Sequence, residues 1–443
     1  MEIITGTFFL NENKYQFTLN NFYVKVAEPN SLYMDDFKDI DQIESIKGIT
    51  SDGRDILLIQ CSFIKNIIFC NSFNIQCFIL SNSLTPFDFM IDRITFYSPA
   101  INTFFSPKYA RQIVDNKDST GEFTLRIAPF KNTEFKFDYN NVECELNVER
   151  YINLKQESSE IGTLKSIFSF NFPNPIFADI IPHYSIAFFD FFSFLNCNKS
   201  IPIDKIVLYS RDKNNKRIKT AYAYIHLQPS NYKNTALDSI TIEDIESEKI
   251  GALFSKISNL RKLDNRIHLY FPKEKSELYY IDPAKWLLLA ICFEGLFSEV
   301  YPDFKSKTKS SFTEVKNQML DKINELEYNS GKKKDYFEKL KRQIEIYDGI
   351  LEEKFNYVLT NNRTPLENIL SFNMAEYHTV DKENYGNIYM NYRNKLAHGN
   401  IESMTNKELA VSRLIRPMIY LLLLNDLDFS LKNLTSIIHK LFK

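Results

Sequence analysis

Two periodicities divide the chain. Up to about residue 278 apolar and polar positions alternate, and from there onward apolar positions recur at the spacing of a helix. Alternation is typical of antiparallel strands that have one face buried and the other in solvent. It is clearest in Glu122–Ile127, Glu134–Tyr139 and Val142–Val148, and a turn is predicted at Asp138–Asn141. We therefore predict a β-rich N-terminal part over residues 1–278.

Two further patterns refine the prediction for this part. Lys205–Ser210 and Thr220–Leu227 flank a charged stretch and predict another hairpin. In contrast, His183–Asn196 is nearly all apolar and too long for a strand, so we expect a buried helix there. The β-rich part is thus mixed, and a division into two subdomains near residue 155 is one way to organise it.

Signals for helix starts accumulate in the C-terminal part. Asp282 followed by Pro283 is an N-cap with proline at the first helical position, and it leads into a long apolar run. Residues 279–443 therefore predict an all-α bundle of five or six helices, and the whole chain predicts an α+β multidomain fold. Three pairs have the spacing of a capping box: Ser311 with Glu314, Thr364 with Glu367, and Thr405 with Glu408.

Composition restricts the possible function classes. The chain has 443 residues and a formal net charge of −2, so any attraction to nucleic acid or to an anionic membrane must come from a local patch. Its six cysteines form no C-x-x-C pair and mostly lie in apolar runs, which favours structural thiols in a reducing cytoplasm. The N-terminus lacks the pattern of a secretory signal, and the apolar run Met418–Leu424 is too short to span a bilayer. We expect a cytoplasmic protein without a membrane partner.

The motifs predict no cofactor and no metal. The chain contains neither G-x-x-x-x-G-K-[ST] nor G-x-G-x-x-G, so an ATPase or a dinucleotide-binding enzyme is not indicated. No pair of histidines has the H-x-x-x-H or H-E-x-x-H spacing of a metal site. Five histidines are scattered along the chain, and we interpret each as a surface or core residue: His183, His226, His268, His378 and His439.

One segment near the C-terminus carries groups that are suited to chemistry. The stretch ENYGNIYMNYRNKLAHGN predicts a helix that packs an apolar stripe into the bundle and stops at Gly399. Asn394 and His398 are four residues apart and share a face, whereas Arg393 lies on the flank and can reach the same groove with its long side chain. The predicted stripe consists of Tyr385, Ile388, Tyr392 and Leu396.

The hexapeptide RNKLAH in this segment resembles the R-N-x-x-x-H signature of the HEPN superfamily, which consists of small α-helical bundles and includes many ribonucleases. With its β-rich N-terminal part, the whole chain is similar to the ApeA family of bacterial anti-phage proteins. These proteins join a sensing or regulatory region to a C-terminal HEPN nuclease. Two further stretches carry the likeness: CFEGLF, which puts Glu294 where the family has a glutamate on an early helix, and FFSFLN followed by IPIDKI.

The resemblance implies roles for four residues. His398 would act as base or acid, and Arg393 would clamp the phosphate. Asn394 would orient His398 or bind phosphate, and Glu294 would position Arg393. Histidine titrates near neutrality and arginine offers a fixed fork of donors, so both residue types suit the metal-independent attack of an RNA 2′-hydroxyl on its phosphate.

The resemblance also implies partners and a biological role. The enzyme would form a homodimer through its helical domain, so that two motifs line one cleft, and it would cut RNA. A tRNA anticodon loop is the expected target, because unstacked nucleotides can adopt the geometry of in-line attack. The protein would act in abortive infection when the N-terminal region senses a phage-derived trigger.

Other interpretations remain open at this point. Arg393 and His398 could satisfy the end of a buried helix, where positive side chains are favoured electrostatically, and the domain would then be a non-catalytic HEPN module that binds RNA or a protein partner. Lys305–Ser310 and Gly331–Asp335 could contact an RNA backbone, although solvated loop lysines are the commoner explanation. Strand aromatics could stack on bases, but such residues are more often core.

Overall fold

The computed structural model of the chain divides into two compact units. The first comprises Met1–Arg261 with Phe271–Glu274, and the second comprises Lys262–Tyr270 with Lys275–Lys443. The first unit is built mainly from strands and the second from helices, so the α+β class predicted from the sequence is confirmed. The structure describes residues 3–10, 13–27, 44–60, 62–63, 72–107, 111–115, 123–127, 133–139, 142–153, 163–227, 232–260, 271–272, 275–278, 282–304, 309–325, 336–341, 344, 351–377, 385–399 and 403–442.

The first unit contains sixteen described strands and three described α-helices. The strands are β1 (Ile4–Leu10), β2 (Asn13–Asn20), β3 (Tyr23–Ala27), β4 (Ser45–Thr50), β5 (Asp55–Ile59), β6 (Ser62–Phe63), β7 (Ser72–Asn74), β8 (Cys77–Ser81), β9 (Met90–Tyr97), β10 (Arg111–Asp115), β11 (Phe123–Ile127), β12 (Thr133–Tyr139), β13 (Val142–Asn153), β14 (Thr163–Phe177), β15 (Lys205–Arg211) and β16 (Arg217–Ile225). The helices are α1 (Pro99–Phe104), α2 (Ile181–Asn196) and α3 (Ile250–Asn259).

The strands β1 to β8 close into a barrel. β1 pairs with β2 and β4, β2 pairs with β3, and β4 pairs with β5, all antiparallel. β7 and β8 lie on one bent segment that completes the ring, because β7 pairs with β3 and β8 pairs with β5. The bend is marked by two hydrogen bonds: Ile75 donates its N–H to the Phe22 carbonyl at 3.0 Å, and Gln76 donates to the Ile59 carbonyl at 3.2 Å.

The barrel interior is a dense apolar core. It contains Phe8, Tyr15, Phe17, Phe73 and Phe78, each exposed by no more than 2%. Because side chains alternate along a strand, the neighbours of these residues point away from the core. On β1, the interior residues Phe8 and Leu10 therefore flank Phe9, which is 62% exposed. The alternation in the sequence thus produces an apolar inside and a solvated outside.

Strands β9 and β12 to β16 extend the same sheet beyond the barrel, in the order β12-β13-β14-β9-β15-β16-β8, whereas β10 and β11 form a separate two-stranded sheet. One face of this extension is covered by α2, where Phe188 stacks on Phe96 with ring centroids 4.6 Å apart. The predicted helix over 183–196 is thereby confirmed, and so is the hairpin formed by β15 and β16. The strands on either side of residue 155, β13 and β14, pair with each other from Glu145↔Asn171 to Asn153↔Thr163, so the first unit is not split there.

The second unit contains at least seven helices among its described residues, rather than the predicted five or six. Asp282 caps the first of them as predicted, accepting a hydrogen bond from the Lys285 N–H at 2.8 Å. Thr405 and Glu408 also form the predicted capping box. The helices are α4 (Pro283–Val300), α5 (Lys309–Glu325), α6 (Leu351–Asn361), α7 (Arg363–Tyr377), α8 (Tyr385–Ala397), α9 (Asn406–Asn425) and α10 (Leu431–Leu441), and residues 336–341 are helical as well.

Two of the predicted helix starts are wrong in position. Ser311 was expected as an N-cap but lies inside α5, and Thr364 lies inside α7. In the second case Asn362 replaces the predicted cap, because its carbonyl already accepts a hydrogen bond from the Leu366 N–H at 3.3 Å. α6 and α7 are consequently separated by this one residue.

Four cysteines in the described part of the chain are buried free thiols, which fits the predicted structural role: Cys77, Cys144, Cys197 and Cys292. Burial raises the pKa of the Cys77 thiol, so this group is protonated and unreactive at neutral pH. Cys61 and Cys70 lie outside the described residues. Among the described helices, none is long and apolar enough to cross a membrane.

The adjacent residues Phe8 and Phe9 test the barrel directly. Phe8→Ala should lower the free energy of unfolding by about 3–5 kcal/mol, because it empties a fully buried site. Phe9→Ala is the matched control and should change it by less than about 0.5 kcal/mol, because this ring is on the outside. The measurement is urea denaturation of the full-length protein. Equal losses for the two variants would contradict the assignment of inside and outside.

Candidate functional site

Helix α8 carries the RNKLAH segment and is held by one buried stripe. Tyr385, Tyr389, Tyr392 and Leu396 are each exposed by 7% or less. The predicted stripe was right in three positions and wrong in one, because Ile388 is only half-buried and Tyr389 takes its place. Both positions lie on the inner side of a helix that starts at Tyr385, and the shape of the neighbouring helices selects the aromatic residue.

Tyr389 is the centre of an aromatic cluster that joins α4, α6 and α8. Its ring stacks on Phe355 of α6, with centroids 4.7 Å apart and planes at 22°. On the α4 side it meets Phe293 at 5.6 Å and Trp286 at 5.5 Å. Trp286 also makes an edge contact with Tyr392 at 4.8 Å. Aromatic pairs of this kind contribute about 0.5–1.5 kcal/mol each beyond simple burial, so the cluster fixes the position of α8.

The first turn of α8 lies unusually close to α6. A Cβ atom on Gly386 would approach the Glu352 carbonyl oxygen to 2.4 Å and the Asn356 side chain to 2.7 Å, so only glycine fits at this position. Asn356 also uses its Oδ1 to accept a hydrogen bond from the Gly386 N–H at 3.0 Å. That donor has no partner within its own helix because it belongs to the first turn. The contact thus satisfies the start of α8 from a neighbouring helix.

Arg393 and Glu294 form a two-pronged ion pair between α8 and α4. Arg393 donates from Nε to Glu294 Oε1 at 3.1 Å and from Nη2 to Oε2 at 3.3 Å. The side chains are 28% and 20% exposed, so the pair lies at the margin of the core. The geometry uses two of the five guanidinium N–H groups, and the described residues give Nη1 no partner. Glu294 therefore orients Arg393 and leaves part of its donor fork open.

The Tyr389 hydroxyl also contacts Glu294 of this pair, a contact that was not predicted from the sequence. Its hydroxyl lies 3.3 Å from the Ala290 carbonyl and 3.4 Å from Glu294 Oε1, so one phenolic proton serves both acceptors. Burial, followed by the negative charge of Glu294, raises the pKa of Tyr389 well above its ordinary value. The residue is thus a neutral donor at physiological pH. Its position four residues before Arg393 is the only signal in the sequence that could have identified it.

His398 and Asn394 lie on a different side of α8. Both are exposed, and the described residues provide no hydrogen bond or ion pair to either side chain. His398 immediately follows the helix, its N–H donates to the Asn394 carbonyl at 3.1 Å, and Gly399 adopts a φ of +79° as the predicted stop. The structure therefore brings Glu294 to Arg393, but it does not join Asn394 or His398 to that pair within the described part of the chain.

Several candidates from the sequence are not part of this arrangement. His439 lies on α10 with its Nδ1 2.6 Å from Asn368 Nδ2, and His226 stacks on Phe22 at 5.1 Å. His268, His378, residues 305–308 and residues 331–335 fall outside the described residues. Within the described ranges, no group of three or more histidine, cysteine, aspartate or glutamate side chains is placed to hold a metal ion.

Removing the charge of Glu294 should destabilise the position of the Arg393 side chain. In Glu294→Gln the half-buried guanidinium loses its counter-charge, and we expect the free energy of unfolding to fall by about 1–2 kcal/mol. Urea denaturation measures the change. Glu314→Gln is the matched control, because Glu314 is exposed on α5. A loss in Glu294→Gln no larger than in the control would show that the pair contributes nothing to stability.

The arrangement combines an oriented guanidinium, an accessible imidazole and an accessible amide on the last turns of one helix. These groups can bind an anionic oxygen and offer an imidazole for proton transfer. No protein-family model, no curated protein and no solved structure matches this chain.

Proposed function

We propose that this chain is an anti-phage defence effector whose helical unit is a HEPN-type endoribonuclease. The observation that carries the proposal is the oriented Arg393, whose Nη1 has no partner among the described residues, on the same short helix segment as the accessible His398. An accessible histidine can transfer a proton, and an oriented arginine can stabilise the charge on a phosphate, which are two functions that metal-independent phosphodiester cleavage uses. The resemblance of RNKLAH to the R-N-x-x-x-H signature supports the same assignment.

The proposed reaction is an in-line transesterification that needs no metal. A base, His398 or its equivalent, takes the proton of the RNA 2′-hydroxyl while the oxygen attacks the adjacent phosphorus. The bond to the 5′-oxygen breaks, and an acid returns a proton to that oxygen. Arg393 donates from Nη1 to the phosphorane oxygens, where negative charge accumulates. The products are a 2′,3′-cyclic phosphate and a 5′-hydroxyl, and Asn394 orients His398 or binds the phosphate.

One copy of the chain supplies one His398, whereas the reaction needs both a base and an acid. We therefore propose that two copies assemble and that each contributes a motif to one cleft. The proposed contact is the exposed stripe of α4 formed by Leu288, Ile291 and Gly295. Leu288 and Ile291 are 40% and 51% exposed, and a Cβ on Gly295 would meet nothing within 4 Å. A glycine inside a helix costs about 1 kcal/mol relative to alanine, and the described contacts of this chain do not require it.

This stripe is suited to a second copy of the same helix. It carries no charge, so the same surface can face itself across a twofold axis without repulsion. Gly295 allows the two backbones to approach closely, and Glu294 lies next to it, so the contact borders the ion pair. The two arginine sites would then open on one groove.

The substrate and the cellular role follow from the resemblance. We propose that the protein acts in the cytoplasm in abortive infection and cleaves RNA, with a tRNA anticodon loop as the target, because an unstacked loop permits in-line attack. The β-rich unit would sense a phage-derived trigger and regulate the nuclease. The protein would need no cofactor.

A binding-only module is the alternative, and one observation favours it. Glu294 neutralises Arg393, and no described residue orients the imidazole of His398, whereas a general base is commonly held by a hydrogen bond. In that case the helical unit binds RNA or a protein partner without cleaving it. The two functions differ in one observable: a nuclease produces new RNA ends, and a binding module does not.

RNA cleavage should depend on His398 and Arg393. We expect purified protein to produce discrete cuts in total bacterial RNA in the presence of EDTA, with cyclic-phosphate and 5′-hydroxyl ends. His398→Ala and Arg393→Ala should each reduce the cleavage rate by at least about 100-fold, because each removes a group used in the transition state. The measurement is mapping of 5′ ends by sequencing.

The matched control for this experiment is His439→Ala. This histidine is exposed on α10 of the same unit and should be dispensable. Full activity of either motif variant would refute its assigned role. Binding of RNA without cleavage, unchanged by the motif variants, would support the alternative.

The proposed dimer can be tested by introducing one charged residue into the exposed stripe of α4. Ile291→Glu should convert a dimer to a monomer and lower cleavage in parallel, because two carboxylates would meet across the twofold axis. Sedimentation velocity measures the state of the protein. Leu431→Glu is the control, since Leu431 is 56% exposed on α10. A dimer that survives Ile291→Glu would place the contact elsewhere.

A further inference from the structure

The outer surface of the barrel over β1–β4 has a composition that the fold does not explain. One face of these strands packs into the apolar interior, so packing does not restrict the outward positions to particular polar or charged residues. Among the described residues, none of those positions is acidic. The outward residues are Thr5, Thr7 and Phe9 on β1, Lys14, Gln16, Thr18 and Asn20 on β2, Tyr23, Lys25 and Ala27 on β3, and Ser45, Lys47 and Ile49 on β4.

This platform, as we name the outward positions of β1–β4, is locally basic. Lys14, Lys25 and Lys47 are its charged residues. The nearby Asp52 does not offset them, because it is paired with Arg54 at 2.6 Å. A chain with a net charge of −2 thus concentrates positive charge on one face of the barrel. Such a patch attracts a polyanion locally even though the whole protein does not.

An exposed aromatic ring lies beside a lysine at each end of the platform. At one end Phe9, 62% exposed, is directly opposite Lys14 in the pairing of β1 and β2. At the other end Tyr23, 39% exposed, precedes Lys25 by two residues on the same face. Tyr23 pairs with Asn20, so the two ends are separated by the length of β2 from Lys14 to Asn20, about 20 Å.

The floor between the two ends is a groove of about 500 Å³ with a mixed lining, to which Ala27 and Ile49 contribute apolar groups. Thr5, Thr7, Gln16 and Thr18 line it with hydroxyl and amide groups, which can both donate and accept hydrogen bonds. Thr5 Oγ1 lies 2.7 Å from Ser51 Oγ at its edge.

We propose that this platform binds a single-stranded nucleic acid. Exposed aromatic rings accept unstacked bases, lysines beside them meet the phosphates, and a floor of hydroxyl and amide groups tolerates any sequence. A duplex would fit poorly, because its bases are stacked inside and cannot reach Phe9 or Tyr23. The length of the platform suits a few nucleotides, which is the site size of a small barrel. The platform gives the β-rich unit a ligand class of its own, independent of the proposed nuclease.

The experiment measures binding by fluorescence anisotropy on full-length protein. All variants carry His398→Ala, so that the helical unit does not cleave the probe. The probes are fluorescein-labelled oligo-U and oligo-dT of roughly 12 nucleotides and a duplex of the same length. The two single-stranded probes decide between RNA and DNA. The platform variants are Phe9→Ala and the double change Lys14→Glu with Lys25→Glu.

We expect Phe9→Ala to weaken binding roughly fivefold or more, with the salt dependence unchanged, because one stacked base is lost. The double lysine variant should bind more weakly still, and its plot of log affinity against log salt should be shallower by about 0.7 for each lost phosphate contact. Phe9 is on the outside, so its loss leaves the barrel core intact. Ultraviolet crosslinking should attach the probe to peptides that contain Phe9 or Tyr23.

The matched control is the double change Lys213→Glu with Lys216→Glu in the turn between β15 and β16, where both lysines are exposed. It alters net charge equally and should leave affinity within about twofold, since surface charge away from a site acts weakly. The proposal is overturned if the protein binds no single strand, binds the duplex as tightly, or loses as much affinity in the control. Because every variant lacks His398, either outcome leaves the test of the nuclease unaffected.

Discussion

The packing of α8 against α4 and α6 determines where every candidate catalytic group lies. Tyr389 is fully buried between Phe293 and Phe355, and Gly386 allows α8 to approach α6 more closely than any other residue would. A helix fixed at both its first turn and its middle cannot rotate about its axis without breaking these contacts. The direction of Arg393 is therefore a consequence of core packing one turn earlier. Glu294 then selects one rotamer of that arginine from those the helix permits.

The same packing explains why Arg393 is half-buried while Asn394 and His398 are exposed. Residues on α8 succeed one another by about 100°, so a stripe of buried tyrosines leaves Arg393 on the flank and puts Asn394 and His398 toward solvent. A buried imidazole would be closed to a substrate, whereas the exposed His398 is accessible. The cost of this arrangement is that nothing in the described chain orients the imidazole. A second copy or a bound phosphate would have to supply that restraint.

Much of the fold could be predicted because it depends on local patterns. The alternation of β11–β13, the apolar run of α2 and the caps at Asp282 and Thr405 each involve residues close in sequence. Closure of the barrel could not be predicted from the sequence. It depends on the pairing of β3 with β7 and of β5 with β8, and no periodicity encodes such pairings. The choice of Tyr389 over Ile388 also escaped prediction, since both lie on the inner side of α8.

In the candidate site too, local features could be predicted from the sequence and long-range contacts could not. The contact between Arg393 and Glu294 joins residues 99 positions apart, and only the resemblance pointed to it. The supporting role of Tyr389 depends on the depth of burial of one hydroxyl, which composition does not reveal. The predicted cap at Thr364 failed for a related reason, because the helix already begins two residues earlier, where the Asn362 carbonyl accepts a hydrogen bond from the Leu366 N–H. Where two local solutions are equally good, tertiary packing decides between them.

The charge distribution links the two proposals physically. A chain with a net charge of −2 cannot gather nucleic acid by long-range attraction, so any binding must be local and sensitive to salt. The Arg393–Glu294 pair is neutral as a whole, and it gains from a phosphate only at close range. The barrel surface carries Lys14, Lys25 and Lys47, to which the described residues give no ion pair, and Lys47 Nζ also lies 4.8 Å from the centroid of the Phe177 ring. The platform would therefore bind a strand through charge, whereas the neutral pair can discriminate only by geometry.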